Sequence, residues 1–365
     1  MAVLGGGQLG QMLGLAGVPL GVAFSFLDPS ATACAGTVGP ITVGALDDPV
    51  AMSRLADGAD VVTYEWEGFA AEAIDALVTA GHRVHPPSRA IGIAQDRLVE
   101  KGWFEGLGID VAPYAPVSAP ADLDGAIGRI GLPAVLKTCA GGYDGKGQVM
   151  LRKGDDAAAA LATLPPGAAL ILERYVLFDR ELSVLAVRGR HGDTRCWPLT
   201  ENHHAGGILR RSMAPAPNAA PVQTLAEDYA TRLLDDLDYV GVLALELFQV
   251  GERLLANEMA PRVHNSGHWT IEGAVTSQFE NHVRAVLGWP LGDTTATGVA
   301  AMVNCIGVLP DPTAVLSIDG AHLHAYGKTP RRGRKIGHVT VVAADAAELA
   351  GRLETLDARL LPDDG

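Results

Sequence analysis

Between Asn257 and Thr270 the chain reads NEMAPRVHNSGHWT, which sets Asn257 and Glu258 at the end of an apolar strand and then Arg262, His264, Asn265, Ser266 and His268 within a few residues. Donors and acceptors so dense, bounded by Pro261 and Gly267, have no way into a core without leaving polar groups unpaired, so the run reads as a site. The preceding VGVLALELFQVGERLLANEMAP reads as two strands joined at Gly251 and Glu252. A three-residue loop centred on Glu252 would put Glu246 and Glu258 directly opposite each other, where like charges repel. A hard divalent cation held by Glu246, Glu258 and Asn257 resolves that conflict; with few protein oxygens and phosphate ligands it is expected to be magnesium, with manganese as a substitute. In the alternative register one strand is shifted and the glutamates point to opposite faces.

Other stretches add to this chemistry. PAVLKT is a buried strand carrying one lysine, Lys137, and the glycine-rich GGYDGKGQ, Gly141 to Gln148, follows closely. An ammonium in an apolar strand is costly unless it meets an anion, and the loop beside it can fold over phosphates and lend N–H groups. The plainer alternative is a snorkelling lysine beside a hairpin turn. KTPRRGRK, Lys328 to Lys335, has five basic residues in eight and no acid, which suits a phosphate or another anion. ENHHAGGILRRS collects His203, His204, Arg210 and Arg211. Near the N-terminus, GGGQLGQMLGLAG spaces Gly5, Gly7 and Gly10 as G-x-G-x-x-G, and a second strand, VAFSFLD, ends in Asp28. Taken alone this is a dinucleotide fingerprint, so a nicotinamide-dependent oxidoreductase is the rival class.

The 365 residues carry a formal charge of -14, which argues against a nucleic-acid or anionic-membrane binder and makes the basic run at 328–335 a local inversion of sign. Cys34, Cys139, Cys196 and Cys305 have no CxxC or zinc-like spacing, so free thiols and a cytoplasmic location are expected. No charged residue precedes Asp28, but no Lys or Arg leads that apolar run and seven glycines and Pro19 break it, so neither an export signal nor a membrane span is expected.

The elements that must hold these residues begin with a βαβ grammar: a three-residue strand, the glycine turn, VAFSFLD, then DVVTYEWEGF, helical AAEAIDALVTAG and RVHPPSRA. This predicts a parallel sheet with Glu65 and Glu67 at the carboxyl end of a strand, where ligand sites gather. A helix from about Arg89 to Leu107 carries Asp96, Arg97 and Lys101, and APYAPVSAPADL reads as a proline-rich connector. ALILERYV closes on Glu173, RELSVLAVR opens with Glu181, and TRCWPLTENHH is its mate. An amphipathic helix from Val222 to Asp238 leads into the glutamate hairpin. The last 75 or so residues hold three short strands and a closing helix. The division expected is a Rossmann-like unit at 1–88, a central unit at 89–288 with a lid at 112–178, and a small unit at 289–365.

A carboxylate pair for magnesium, a strand lysine beside a glycine-rich flap and a basic loop for a second anion together describe ATP-dependent ligation with an anionic cosubstrate. A dehydrogenase needs none of these. At this point GGGQLGQM, KTCAGGYDGKGQ, PLTENHHAGGILRRS, NEMAPRVHNSGHWT and GRKIGH, spread over nearly the whole length, resemble the ATP-grasp enzymes and in detail the 5-(carboxyamino)imidazole ribonucleotide synthase family of purine biosynthesis. The resemblance implies an α/β (α+β) ATP-grasp fold, usually dimeric, that uses ATP and bicarbonate to carboxylate aminoimidazole ribonucleotide through carboxyphosphate. It implies that Arg97 and Lys137 meet ATP phosphates under the flap Gly142, Tyr143, Asp144, Gly145, Lys146, Gly147 and Gln148. Glu173, Arg174, Tyr175 and Val176 would form the adenine hinge, Glu181 would take the ribose with His204 nearby, and Asn257 and Glu258 would serve both ATP and metal. Arg262, His264 and Asn265 would orient bicarbonate and the amine, with Tyr143, Asp144 and Lys146 closing the site. Gly7, Gln8, Leu9, Glu65, Glu67, Lys328, Arg334 and Lys335 would hold the ribonucleotide. The flap departs from the family pattern in having Lys146 where arginine is expected, which keeps the charge and loses the bidentate fork. Another ATP-grasp ligase would share the ATP site and lack RVHNSGHWT, and a nucleotide sensor would bind ATP without turnover.

Overall fold

Short apolar runs joined by helical crossovers can pair only in parallel, and the N-terminal residues do so. In the computed structural model, which describes residues 1–142, 146–153 and 157–360, β1 (Ala2–Leu4), β2 (Ser25–Asp28), β3 (Ile41–Val43) and β4 (Val62–Tyr64) form a parallel sheet in the order β3-β2-β1-β4. Helix α1 (Gln8–Gly17) joins β1 to β2, α2 (Pro49–Ala56) joins β3 to β4, and α3 (Ala71–Thr79) leads from β4 to a parallel bridge between Val62 and Val84.

The helix expected from Arg89 to Leu107 is two: α4 (Ser88–Ala94) and α5 (Arg97–Gly106). Asp96 separates them because its carboxylate accepts from the N–H groups of Leu98 and Val99 and so caps α5. The proline-rich connector contains β5 (Tyr114–Val117), since its alternate residues Ala115 and Val117 are apolar and buried. With β6 (Ala134–Thr138), β7 (Gln148–Leu151) and β8 (Leu170–Arg174) it makes an antiparallel sheet ordered β5-β8-β6-β7.

The remaining strands are β9 (Arg180–Arg188), β10 (Thr194–Cys196), β11 (Thr200–Ala205), β12 (Ile208–Ala214), β13 (Gly241–Val250), β14 (Arg253–Ala260), β15 (Val299–Ile306), β16 (Ala321–Ala325) and β17 (Lys335–Ala343). They form one sheet ordered β14-β13-β9-β11-β12-β15-β17-β16, with β10 paired to β9. The C-terminal strands thus continue the sheet that carries the glutamate hairpin, through β12 against β15. Buried Val263 and Trp269 anchor the NEMAPRVHNSGHWT segment, and the Trp269 indole N–H donates to Thr200 Oγ1 at 2.9 Å. Gly267 lets that segment approach, since a Cβ there would fall 2.2 Å from Leu185 Cδ2.

The hairpin reaches the expected pairing by another route. Its turn is the two residues Gly251 and Glu252, which pairs Val250 with Arg253 down to Leu247 with Ala256. That register would slide Glu246 opposite Asn257, but a β-bulge inserts Asn257 as an extra residue and Glu246 pairs with Glu258. One face of α5 grips the bulge. Arg97, Glu100 and Lys101 share this face at spacings of three and four residues. Lys101 Nζ donates to Ala256 O at 3.1 Å and Asn257 O at 2.8 Å, the Met259 N–H donates to Glu100 Oε1 at 2.8 Å, and Arg97 Nη1 donates to Glu258 Oε2 at 2.8 Å. Glu100 and Lys101 are each 1% exposed, so these buried ionisable groups depend on their hydrogen-bond partners.

Lys101→Met, similar in length, should cost roughly 2–4 kcal/mol in urea unfolding, because it strands two buried carbonyls and removes a partner of Glu173. A cost below about 1 kcal/mol would deny the clamp. Burial first, and the charge of Glu258 second, push Glu100 up to about 8 from its ordinary 4.5. The folded chain therefore keeps a proton that the unfolded chain releases above pH 4.5, and this stabilisation is lost as pH rises towards about 8. Glu100→Gln should raise the melting temperature over the parent by a margin that widens from pH 5 to 8; a margin constant with pH would contradict the shift.

Candidate active site

The bulge brings two carboxylates face to face at the mouth of the hairpin, and their electrostatics differ. Burial and the charge of Glu258 push Glu246 up to about 7, against the pull of His204 and Lys335. Burial also works to raise Glu258, but Arg97 overrides it and holds Glu258 below the usual carboxylate range. Asn257 Oδ1 is buried without a hydrogen-bond partner. Two opposed carboxylates and an orphaned amide oxygen fit a hard divalent cation whose other ligands are phosphate oxygens. Among the described residues no group of three or more His, Cys, Asp or Glu is placed to hold a metal ion.

Register builds the neighbouring charges. Glu173 on β8 lies opposite Val135, two residues from Lys137 on β6, so the two side chains share a face and Lys137 Nζ donates to Glu173 Oε2 at 3.0 Å. Lys101 Nζ lies 3.8 Å from the same oxygen. The anion that the strand lysine requires is thus supplied within the protein by Glu173, 3% exposed and held below the usual range by Lys101 and Lys137 against its burial. Arg97 also donates through Nη2 to Gly142 O at 3.3 Å, which links the base of the flap to Glu258. Gly147 O accepts from Thr138 N at 2.9 Å, Gln148 pairs with Lys137 across the strands, and Lys146 is exposed. Tyr143, Asp144 and Gly145 lie outside the described residues.

In the segment after Glu173, the Arg174 and Tyr175 N–H groups are used by Pro113 O and Pro133 O, and Val176 is half-buried next to them. Glu181 forms an ion pair with His204, whose protonation it and Glu246 favour against burial. Two other residues of ENHHAGGILRRS point away: His203 is exposed and Arg211 pairs with Asp357 at 2.6 Å.

The N-terminal sheet contributes two acids with different tasks. Glu65, 8% exposed, accepts from Gly7 N at 2.5 Å and Gly10 N at 2.7 Å. Its carboxylate fills the helix N-terminus where a dinucleotide pyrophosphate would sit, and a Cβ on Gly7 would fall 2.5 Å from Glu65 Oε1. This is the physical reason that the G-x-G-x-x-G spacing misleads here. Gln8 accepts from Lys328, Leu9 is buried in the core, and Arg334 Nη1 donates to Thr329 O at 3.2 Å, folding the basic loop onto itself beside the glycine turn. Lys335 lies on the site side of that loop, where its charge acts on Glu246, His204 and His264.

Glu67 meets Arg262 in a bidentate pair: Nη2 donates to Oε1 at 2.7 Å and Nε to Oε2. Burial and the charges of Arg262 and Lys335 hold His264 well below its usual range, so its ring is neutral. Two partners of this segment carry no sequence signal. Gln278, fully buried, clamps the His264 backbone from both sides, accepting from its N–H at 2.8 Å and donating to its carbonyl at 2.6 Å. Asn304 pairs amide to amide with Asn265, at 3.1 Å and 2.7 Å, and its Nδ2 also donates to Leu209 O. Asn304 is a lone polar residue in an apolar strand and Gln278 is one of several in a polar run, so neither position reveals its partner.

Comparisons with known proteins agree with this geometry. Family models match as a ribonucleotide synthetase preATP-grasp domain over residues 1–95, an ATP-grasp domain over 103–279 and a phosphoribosylaminoimidazole carboxylase C-terminal domain over 300–352. The chain is 50% identical over 358 residues to the N5-carboxyaminoimidazole ribonucleotide synthase of Pseudomonas aeruginosa, covering 98% of each chain. It superposes on the crystal structure of N5-carboxyaminoimidazole ribonucleotide synthetase from Thermus thermophilus with a TM-score of 0.94 and 54% identity over 99% of both chains. An Aspergillus clavatus N5-carboxyaminoimidazole synthase, solved in complex with ADP and 5-aminoimidazole ribonucleotide, matches with a TM-score of 0.90 and 29% identity over 98% of both chains. Likeness at this level over the full length makes the chain a member of the N5-carboxyaminoimidazole ribonucleotide synthase family of ATP-grasp ligases.

Proposed function

We propose that this enzyme uses ATP and bicarbonate to carboxylate the exocyclic amine of 5-aminoimidazole ribonucleotide, through carboxyphosphate, giving 5-(carboxyamino)imidazole ribonucleotide, ADP and phosphate in purine biosynthesis. The observation that carries this reading is the opposed pair Glu246 and Glu258 beside Arg262, His264 and Asn265 on a scaffold matched over its whole length by that synthase family. A bicarbonate oxygen attacks the γ-phosphorus as its bond to the ADP oxygen breaks. The ribonucleotide amine then forms the new C–N bond, phosphate leaves with the electrons of the C–O bond, and the amine proton passes to solvent.

In this reading Arg97 and Lys137 offset phosphate charge under the flap of residues 142–148, and residues 173–176 with Glu181 and His204 hold adenine and ribose. Glu246, Glu258 and Asn257 would hold magnesium, which when bound would supply charge neutralisation at the transferred phosphoryl group. The planar fork of Arg262 suits the planar bicarbonate, and the Glu67 carboxylate that it holds in the free protein faces the amine end. Lys328, Arg334 and Lys335 receive the ribonucleotide phosphate beside Gly7, Gln8 and Leu9. The units at 1–88, 89–288 and 289–365, a homodimer and a cytoplasmic location belong to the same proposal. No helix among the described residues is long and apolar enough to cross a membrane.

The test is ADP release with ATP and magnesium, adding bicarbonate and the ribonucleotide separately and together. Stimulation that needs the ribonucleotide, with an acid-labile carbamate formed, is expected; indifference to the ribonucleotide would leave an ATP-grasp ligase with another substrate. Glu258→Gln should lower turnover by at least about 100-fold while the protein stays folded, since one ligand of the cation and a charge at the phosphoryl group are lost. Unchanged magnesium-dependent turnover would sink the metal assignment. Lys335→Ala should raise KM for the ribonucleotide about 10-fold with little change for ATP, and equal weakening of both would remove the phosphate role.

A further inference from the structure

Beneath the site a chain of buried polar side chains crosses three strands and ends on His264. Ser212 Oγ lies 2.8 Å from Asn202 Oδ1, Asn202 Nδ2 is 3.0 Å from Ser183 Oγ, Ser183 Oγ is 2.8 Å from Ser266 Oγ, and Ser266 Oγ is 2.9 Å from His264 Nδ1. The three serines are fully buried and Asn202 is 7% exposed. Register aligns them: Ser183 on β9 pairs with Glu246 on β13, and Asn202 on β11 pairs with Ser212 on β12.

Hydroxyls and an amide can run such a chain in either direction, each giving a different histidine tautomer. One group that cannot reverse decides it. The backbone N–H of Ser266 points at His264 Nδ1 at 3.4 Å and can only donate. A bare Nδ1 puts the ring proton on Nε2, which lies 3.5 Å from the Glu246 carboxyl. It follows that Ser266 donates to the ring, Ser183 to Ser266, Asn202 Nδ2 to Ser183, and Ser212 to Asn202 Oδ1.

We propose that Ser183, Asn202 and Ser212 are positioning residues that fix His264 as the Nε2–H tautomer, so that its ring N–H faces the carboxylates and the reacting oxygens and not the core. Asn202 carries that direction across the sheet, with its amide nitrogen towards Ser183 and its oxygen towards Ser212. For the role of His264 in carboxylation the proposal rests on the function proposed above; the tautomer does not depend on it.

The test is nitrogen NMR of protein labelled with 15N-histidine, without nucleotide, in which the protonated and bare ring nitrogens of a neutral imidazole have well separated shifts; His264→Gln identifies the signal. The parent should carry the proton on Nε2. Asn202→Asp puts an acceptor at both ends of the amide and turns the Ser183 hydroxyl away from Ser266, which favours the reversed chain and an Nδ1 proton. Its kcat should fall about 10-fold with KM for ATP changed less than about 2-fold. Ser183→Ala, which cuts the chain with less disturbance and serves if Asn202→Asp does not fold, should give both tautomers, whereas Ser183→Thr keeps the hydroxyl and should keep the parental pattern. A parent protonated on Nδ1, or Ser183→Ala with the parental tautomer and kcat, would overturn the proposal. A parent protonated on Nε2 that carboxylates nothing would support the spine and refute the substrate.

Discussion

Everything near the reaction centre depends on holding two glutamates against their mutual repulsion. Glu246 and Glu258 face each other because one extra residue, Asn257, is inserted into β14, and that bulge survives because a buried lysine and a buried glutamate on α5 satisfy the backbone around it. Arg97, on the same face, neutralises Glu258 directly and reaches the base of the flap. A single helical turn thereby links the opposed glutamates, the glycine-rich loop and the hairpin. Lys101 is the member that cannot be spared, since removing it takes the donor from the carbonyls of Ala256 and Asn257 and one partner from Glu173.

The protein answers internally for charges that its substrates would later meet. Lys137 holds Glu173, Arg262 holds Glu67, and the glycine turn holds Glu65. Each pairing keeps a side chain oriented in the free protein, so little side-chain entropy remains to be lost on binding. The same pairings explain an acidic chain that handles anionic substrates, because its basic groups converge on the site from β6, α5, the residue-262 segment and the loop at 328–335. Lys335 shows this, acting on Glu246, His204 and His264 from a different part of the sheet.

Much of this was legible from residue types. The parallel N-terminal sheet, the strand with its lysine, the hairpin and the opposed glutamates all follow from apolar periodicity and from the cost of buried charge. The errors were those of local signal. A single helix was expected where the Asp96 cap makes two, a connector where Ala115 and Val117 alternate into a strand, and a three-residue turn where a two-residue turn and a bulge give the same pairing. The glycine spacing suggested a dinucleotide because sequence cannot show that Glu65, 58 residues from Gly7, already occupies the phosphate position.

The sequence by itself determined which side chains make up the candidate site and, through the run from Asn257 to Thr270, that several of them lie together. Those groups lie within a few residues of one another, so covalent connectivity alone keeps them close. Only the tertiary structure decided how they are aimed. Asn304 reaches Asn265 from 39 residues away, Glu67 reaches Arg262 from 195, and the serine and asparagine chain beneath His264 comes from three strands. Aim depends on register and on buried partners far apart in the chain. A polar residue within an apolar strand does not reveal its partner until the sheet has closed around it.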